Sequence, residues 1–119
     1  MIVDDNEGFL AVARDRLTRD GMDVVGTASS QEEALQLAEE LHPDVVLVDI
    51  SLGAESGFEV TRRLVHHFPD LRARVVLIST RDQDDFADLI AASPAAGFLP
   101  KNLLSARAVC DLVAPGNGC

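Results

Sequence analysis

The chain has 119 residues, 47% of them hydrophobic, which is enough for one buried core and too little for two ordinary domains. Twenty acidic side chains against ten basic ones give a formal charge of −10, which disfavours direct binding to nucleic-acid backbones and anionic membranes. No apolar run approaches the roughly 20 residues of a membrane span, and the start, Met1-Ile2-Val3-Asp4-Asp5, turns acidic too soon for a signal peptide, so a cytoplasmic protein is expected.

In chain order, short β-rich runs alternate with segments of helical period. Residues 1–3 predict a first strand, and Phe9, Val12, Ala13 and Leu17 mark one face of the helix after it. Residues 23–27 predict a second strand. Ser30-Gln31-Glu32-Glu33 then fits a capping box, and Ala34, Leu37, Ala38 and Leu41 continue that helix. Residues 44–48 predict an almost wholly apolar third strand. Ser56-Gly57-Phe58-Glu59 opens a third helix carrying Phe58, Thr61, Leu64, Val65 and Phe68. Residues 74–78 predict a fourth strand, with Thr80-Arg81-Asp82-Gln83 as the cap of a helix bearing Phe86, Leu89 and Ile90. Residues 97–99 predict the last strand, and Leu104, Ala108, Val109 and Leu112 the last helix, which ends before Pro115. The apolar residues read as core. The alternation predicts an α/β fold with a parallel sheet covered on both faces, one domain over residues 1–114 and a tail over 115–119.

Two features that invite a metal reading do not support one. His66 and His67 are adjacent on a helix and point about 100° apart, so they cannot chelate from one face. Cys110 and Cys119 have neither the number nor the spacing of a disulfide framework or a zinc site.

Ligands of open parallel sheets gather at the carboxyl ends of the strands. There the sequence offers Asp4-Asp5-Asn6 after strand one, Asp49 after strand three, Ser79-Thr80 after strand four and Lys101 after strand five. A loop-end Asp5 or Asn6 alone could simply cap the following helix. The combined set has the parts of a phosphoryl acceptor: a nucleophilic carboxylate, a hydroxyl and a cationic clamp. Crowded carboxylates repel unless a cation compensates them, and Mg²⁺, a hard cation that also bridges phosphate oxygens, suits such a set.

These residues resemble the receiver domain family of two-component response regulators along essentially the whole chain. The separations of Asp5, Asp49, Ser79 and Lys101 agree without a gap with those of the family's single-domain chemotaxis member, and the stretch from Asp49 to Gly57 resembles the family's phosphoacceptor loop. The resemblance implies a flavodoxin-like, doubly wound sheet of five parallel strands in the order 2-1-3-4-5 with five helices. It implies that Asp49 is phosphorylated, that Asp5, Asp49 and the main-chain carbonyl of Ser51 ligate Mg²⁺, and that Asp4 assists through water. Lys101 would pair with a phosphoryl oxygen, Ser79 would move its hydroxyl toward the phosphate, with Thr80 ranked second, and Phe98 would be the aromatic switch. The expected partners are a histidine kinase or phosphotransfer protein and a downstream protein target or output domain, with phosphorylation-dependent dimerisation. The protein would be a switch and not an enzyme acting on a separate substrate.

Two departures stand out. The first strand is short for the central position the family gives it, so apolar residues upstream of Met1 are expected. Gly53 stands where the family often has proline. Rival chemistries lack a part: an aspartyl-phosphate phosphatase wants two carboxylates one residue apart after one strand, and a flavin binder wants a Ser/Thr/Gly-rich first loop where Asp4-Asp5 stand. The regulatory half of a DNA-binding regulator and an unphosphorylated scaffold remain as alternative readings.

Overall fold

The apolar runs around Leu47 and Val76 have no polar side to offer water. In the computed structural model, which describes residues 1–113, they lie side by side at the centre of a parallel sheet. Its strands are β1 (Ile2–Val3), β2 (Thr27–Ala28), β3 (Val46–Asp49), β4 (Val75–Ser79) and β5 (Gly97–Pro100), in the spatial order β2-β1-β3-β4-β5. The helices are α1 (Glu7–Arg19), α2 (Gln31–Leu41), α3 (Gly57–His67), α4 (Ala87–Ala92) and α5 (Ala106–Val113). This is the doubly wound α/β architecture and strand order expected from the sequence; the tail at 115–119 lies outside the described residues.

Strand alternation assigns the two cores. Val46, Val48, Val75 and Leu77 face one side, with Ala34 and Ala38 of α2 and Val60 and Leu64 of α3. Leu47, Val76 and Ile78 face the other, with Ala13 and Leu17 of α1 and Val109 of α5. Every residue of β3 and β4 is buried, so a parallel sheet of nearly continuous apolar sequence is sealed on both faces.

The structure corrects the sequence reading in three places. The second strand begins at Thr27, not at residue 23, because the parallel register sets Ile2 opposite Thr27 and leaves residues 23–25 no partner on β1. The Thr80 cap does not form. A 3₁₀ turn at Gln83–Phe86 precedes a six-residue α4 instead, and neither shows a side-chain cap. Val12 and Leu89, read as core, are 67% and 55% exposed.

The other caps hold. Asn6 Oδ1 accepts the Phe9 N–H at 3.0 Å and starts α1. Ser30 Oγ accepts from Glu33 N at 3.2 Å, while Glu33 reaches back to Ser29 N rather than to Ser30 N. Between β3 and α3 the chain makes a small antiparallel hairpin, Ser51–Leu52 against Glu55–Ser56, turned by Gly53 at φ +60°.

Candidate functional site

β1, β3, β4 and β5 run in parallel and end together, and their last residues meet at one edge. Ile2 and Val3 pair with Leu47 and Val48, which brings Asp4 and Asp5 beside Asp49. Asp49 pairs with Ile78, one residue before Ser79, and Ser79 pairs with Pro100, one residue before Lys101. The pairing register therefore assembles the set that the sequence offered in four separate places.

One carboxylate oxygen from each of Asp4, Asp5 and Asp49 lies within 4.8 Å of the others. Asp4 is fully buried, Asp49 nearly so, and Asp5 is exposed. Lys101 reaches in from the end of β5, its Nζ 2.6 Å from Asp4 Oδ2 and 3.3 Å from Asp49 Oδ2. The short contact with Asp4 is charge against charge without hydrogen-bond alignment, so the buried Asp4 Oδ2 still lacks an aligned donor. Asp4 Oδ1 accepts from Asn6 N at 2.8 Å, and Asp49 Oδ1 from Ser51 N at 3.1 Å.

Burial, and after it the charge of Asp4, pushes the Asp49 carboxyl above the ordinary carboxylate range; Lys101 and the Ser51 amide pull it partly back. One ammonium does not fully compensate three crowded acids. The donor set is all oxygen, one of those oxygens is buried without an aligned partner, and both facts fit a hard divalent cation.

Two glycines shape the rim. A Cβ on Gly57 would sit 2.1 Å from the Asp49 carbonyl oxygen, so only glycine lets α3 start against the end of β3. A Cβ on Gly53 would stand 3.0 Å from Asp5 Oδ2, so the hairpin turn overhangs the exposed acid.

Of the remaining expected residues, Ser79 is buried beside the site and its Oγ accepts from Arg81 N at 3.0 Å. Thr80 is exposed. Phe98 is buried in the same core as Val48 and Leu77, with its backbone paired to Leu77. His66 and His67 are exposed on α3. Sequence reasoning missed Glu55, whose Oε1 accepts from Gln31 N at 3.0 Å and ties the hairpin to the start of α2. It also missed Phe9 as a neighbour of the site: the Lys101 ammonium lies 4.3 Å from its ring centroid. Neither contact follows from spacing, because each joins distant segments through long side chains.

The family model of the response regulator receiver domain matches residues 1–113. The chain belongs to that family. The receiver domain is similar to the response regulator GacA of Pseudomonas viridiflava, with 38% identity over 106 residues, 85% of this chain and 47% of that protein. It is also 31% identical over 104 residues to the transcriptional regulatory protein DegU of Brevibacillus brevis, covering 87% of this chain and 43% of that one. This receiver domain thus spans about half the length of the curated relatives it matches. Among solved structures it resembles a response regulator from Burkholderia pseudomallei, described with a phosphorylated aspartic acid, a calcium ion and citrate. That match has a TM-score of 0.79 and 27% identity, and it covers 94% of this chain and 64% of that one. The flavodoxin-like receiver architecture expected from the sequence is therefore the observed one. Among the described residues, no helix of the receiver domain is long and apolar enough to cross a membrane.

Proposed function

We propose that the domain accepts a phosphoryl group on Asp49 from the phosphohistidine of a kinase or phosphotransfer protein and uses it to switch a protein-binding surface. The observation that carries this reading is Asp49 itself: a nearly buried carboxylate at a strand end, fixed by Ser51 N on one oxygen and by Lys101 Nζ on the other, with Asp4 and Asp5 beside it. A carboxylate oxygen of Asp49 forms the new P–O bond as the P–N bond of the donor breaks, and the leaving imidazole nitrogen keeps the electron pair and takes a proton from solvent. Such transfer asks for positioning and charge neutralisation more than for covalent protein chemistry. Asp5, Asp49 and the Ser51 carbonyl would hold Mg²⁺, with Asp4 acting through water, and the ion when bound supplies neutralisation of the phosphoryl oxygens. Lys101 supplies the rest, turning from Asp49 Oδ2 to a phosphoryl oxygen.

The added group carries close to two negative charges, enough to draw in a hydroxyl donor. Ser79 is that donor: its Oγ accepts from Arg81 N, so its proton can turn to the phosphate. The move would shift the start of α4 and free Phe98 to change rotamer, altering the surface of α4, β5 and α5. On this reading the domain is a cytoplasmic switch that takes part in its own phosphoryl transfer, and not an enzyme for a separate substrate.

The downstream partner is a protein target, an output domain or a second copy of the domain. The −10 charge argues against nucleic-acid contact by the receiver itself. The twofold greater length of the matched regulators favours a reading in which the receiver governs an output domain.

Incubation with Mg²⁺ and an acyl phosphate, followed by intact mass, tests the reading. A phosphate-sized gain is expected for the wild type and none for Asp49→Asn; an equal gain in both, or a wild type inert to every donor and kinase offered, contradicts it.

A further inference from the structure

The ammonium of Lys101 has a third neighbour besides Asp4 and Asp49, and it carries no charge. The centroid of the Phe9 ring lies 4.3 Å from Nζ, within the range at which an electron-rich ring face attracts a cation. The ring is held by the same loop that carries the acids. Asn6 N donates to Asp4 Oδ1 at 2.8 Å, and Asn6 Oδ1 accepts from Phe9 N at 3.0 Å, so Asn6 ties Asp4 and Phe9 together at the start of α1. Lys101 comes from the far side, at the end of β5, on a flexible four-carbon stem. Its side chain is only 11% exposed, so little water is left to hold the ammonium in one orientation.

We propose that Phe9 is a positioning residue for Lys101, its ring face keeping the ammonium over the acid centre so that the amine is in place when Asp49 receives its phosphoryl group. Asp49 Oδ2 accepts one hydrogen bond from the ammonium at 3.3 Å, while Asp4 attracts it without hydrogen-bond alignment, so the acids direct only one of its three protons. The ring closes the remaining side. Because it is uncharged, it does not compete with the phosphoryl group for the cation as a third carboxylate would. The hold on the ammonium stands on geometry alone, whereas its use in phosphoryl transfer rests on the proposed role of Asp49.

Lys101 is the only lysine of the chain, so acylation by a small amine-reactive ester reads this one side chain once peptide mass separates it from the N-terminal amine. Phe9→Leu keeps apolar bulk and removes the aromatic face; Phe9→Tyr keeps the face. Lys101 of Phe9→Leu is expected to acylate about fivefold faster than wild type, the scale of one lost cation–π contact, and Phe9→Tyr at the wild-type rate. With Mg²⁺ and an acyl phosphate, Phe9→Leu should gain phosphate several-fold more slowly and Phe9→Tyr normally. Wild-type acylation in Phe9→Leu would overturn the assignment, as would a faster rate in Phe9→Tyr, because Phe9 would then be packing only. Should Phe9→Leu fail to fold, Phe9→Met replaces it, and an unchanged acylation rate there overturns the assignment equally. If acylation follows the expected pattern while even wild type takes up no phosphate, the hold on the ammonium is upheld and the phosphoacceptor reading of Asp49 falls.

Discussion

Lys101 Nζ meets Asp4 Oδ2 at 2.6 Å, and Asp4 is completely buried. A buried carboxylate deprived of its cation keeps its desolvation cost and loses the compensation. Lys101→Met, which retains most of the stem, is therefore expected to destabilise the protein in EDTA by about 3 kcal/mol, the low end for a broken buried pair, because Asp49 can take up a proton in response. Saturating Mg²⁺ should recover part of the loss. Urea unfolding at neutral pH with and without the ion measures both; an unchanged midpoint in EDTA would mean that the pair carries no stability.

Asp49 predicts a change of the opposite sign. Its carboxyl is raised in the folded chain by burial and by Asp4, so between the ordinary and the raised value the folded state binds more protons than the unfolded one. Stability contributed by this group therefore falls as pH rises through that window, and the cost is complete above it. Asp49→Asn keeps an oxygen for Ser51 N and removes the charge. In EDTA it should be more stable than wild type at neutral pH, with the difference vanishing as the pH drops below the ordinary carboxylate range, and Mg²⁺ should shrink or reverse its advantage. Thermal unfolding across pH checks this, and a wild type more stable than Asp49→Asn in EDTA at neutral pH would contradict it.

Asp20, at the end of α1, accepts the Ala106 N–H at 3.1 Å and so caps α5 from another element. That amide, followed by Arg16, holds its carboxyl below the ordinary value of 3.8. A lowered carboxyl contributes stability that is present above the ordinary value and lost as pH falls through the lowered one. Asp20→Ala should accordingly show a lower melting temperature at neutral pH, and the gap to wild type should close in strong acid. A pH-independent gap would point to packing instead.

Ala73 sits at φ +61° on the way into β4, its N–H donating to Pro94 O at 3.2 Å. The left-handed region crowds its Cβ, which costs more than the extra chain entropy of a glycine there. Ala73→Gly should raise stability by roughly 0.5 to 1 kcal/mol without touching the site. Equal or lower stability in urea unfolding would show that the strain is relieved elsewhere.

The sheet and the core of the site were legible in the sequence because they depend on period and on strand ends. Asp49 follows an apolar run too short for a helix, and once five parallel strands are placed, Asp4, Asp5, Ser79 and Lys101 must end at the same edge. What escaped depends on contacts that no local pattern encodes. The Thr80 capping pattern is present, yet the hydroxyl that accepts a backbone amide here is that of Ser79, from Arg81 N, and the chain goes on as a 3₁₀ segment without a side-chain cap. Val12 fits the α1 stripe by spacing, but the stripe is narrow and Ala13 and Leu17 fill it. The hairpin from Ser51 to Ser56 was missed because two strands of two residues leave no alternation to read. Phe9 read correctly as an inward residue, but not as a neighbour of Lys101, since that contact exists only once α1 and β5 are folded together.

The central claim concerns one carboxylate among three within 4.8 Å of each other, so the decisive measurement must say which one carries the phosphate. Borohydride reduction of an acyl phosphate converts the modified aspartate to homoserine, and peptide mass then locates it. After exposure to Mg²⁺ and an acyl phosphate, the conversion should be found at position 49 alone. Conversion at position 4 or 5, or no conversion in protein that has gained phosphate, would contradict the account.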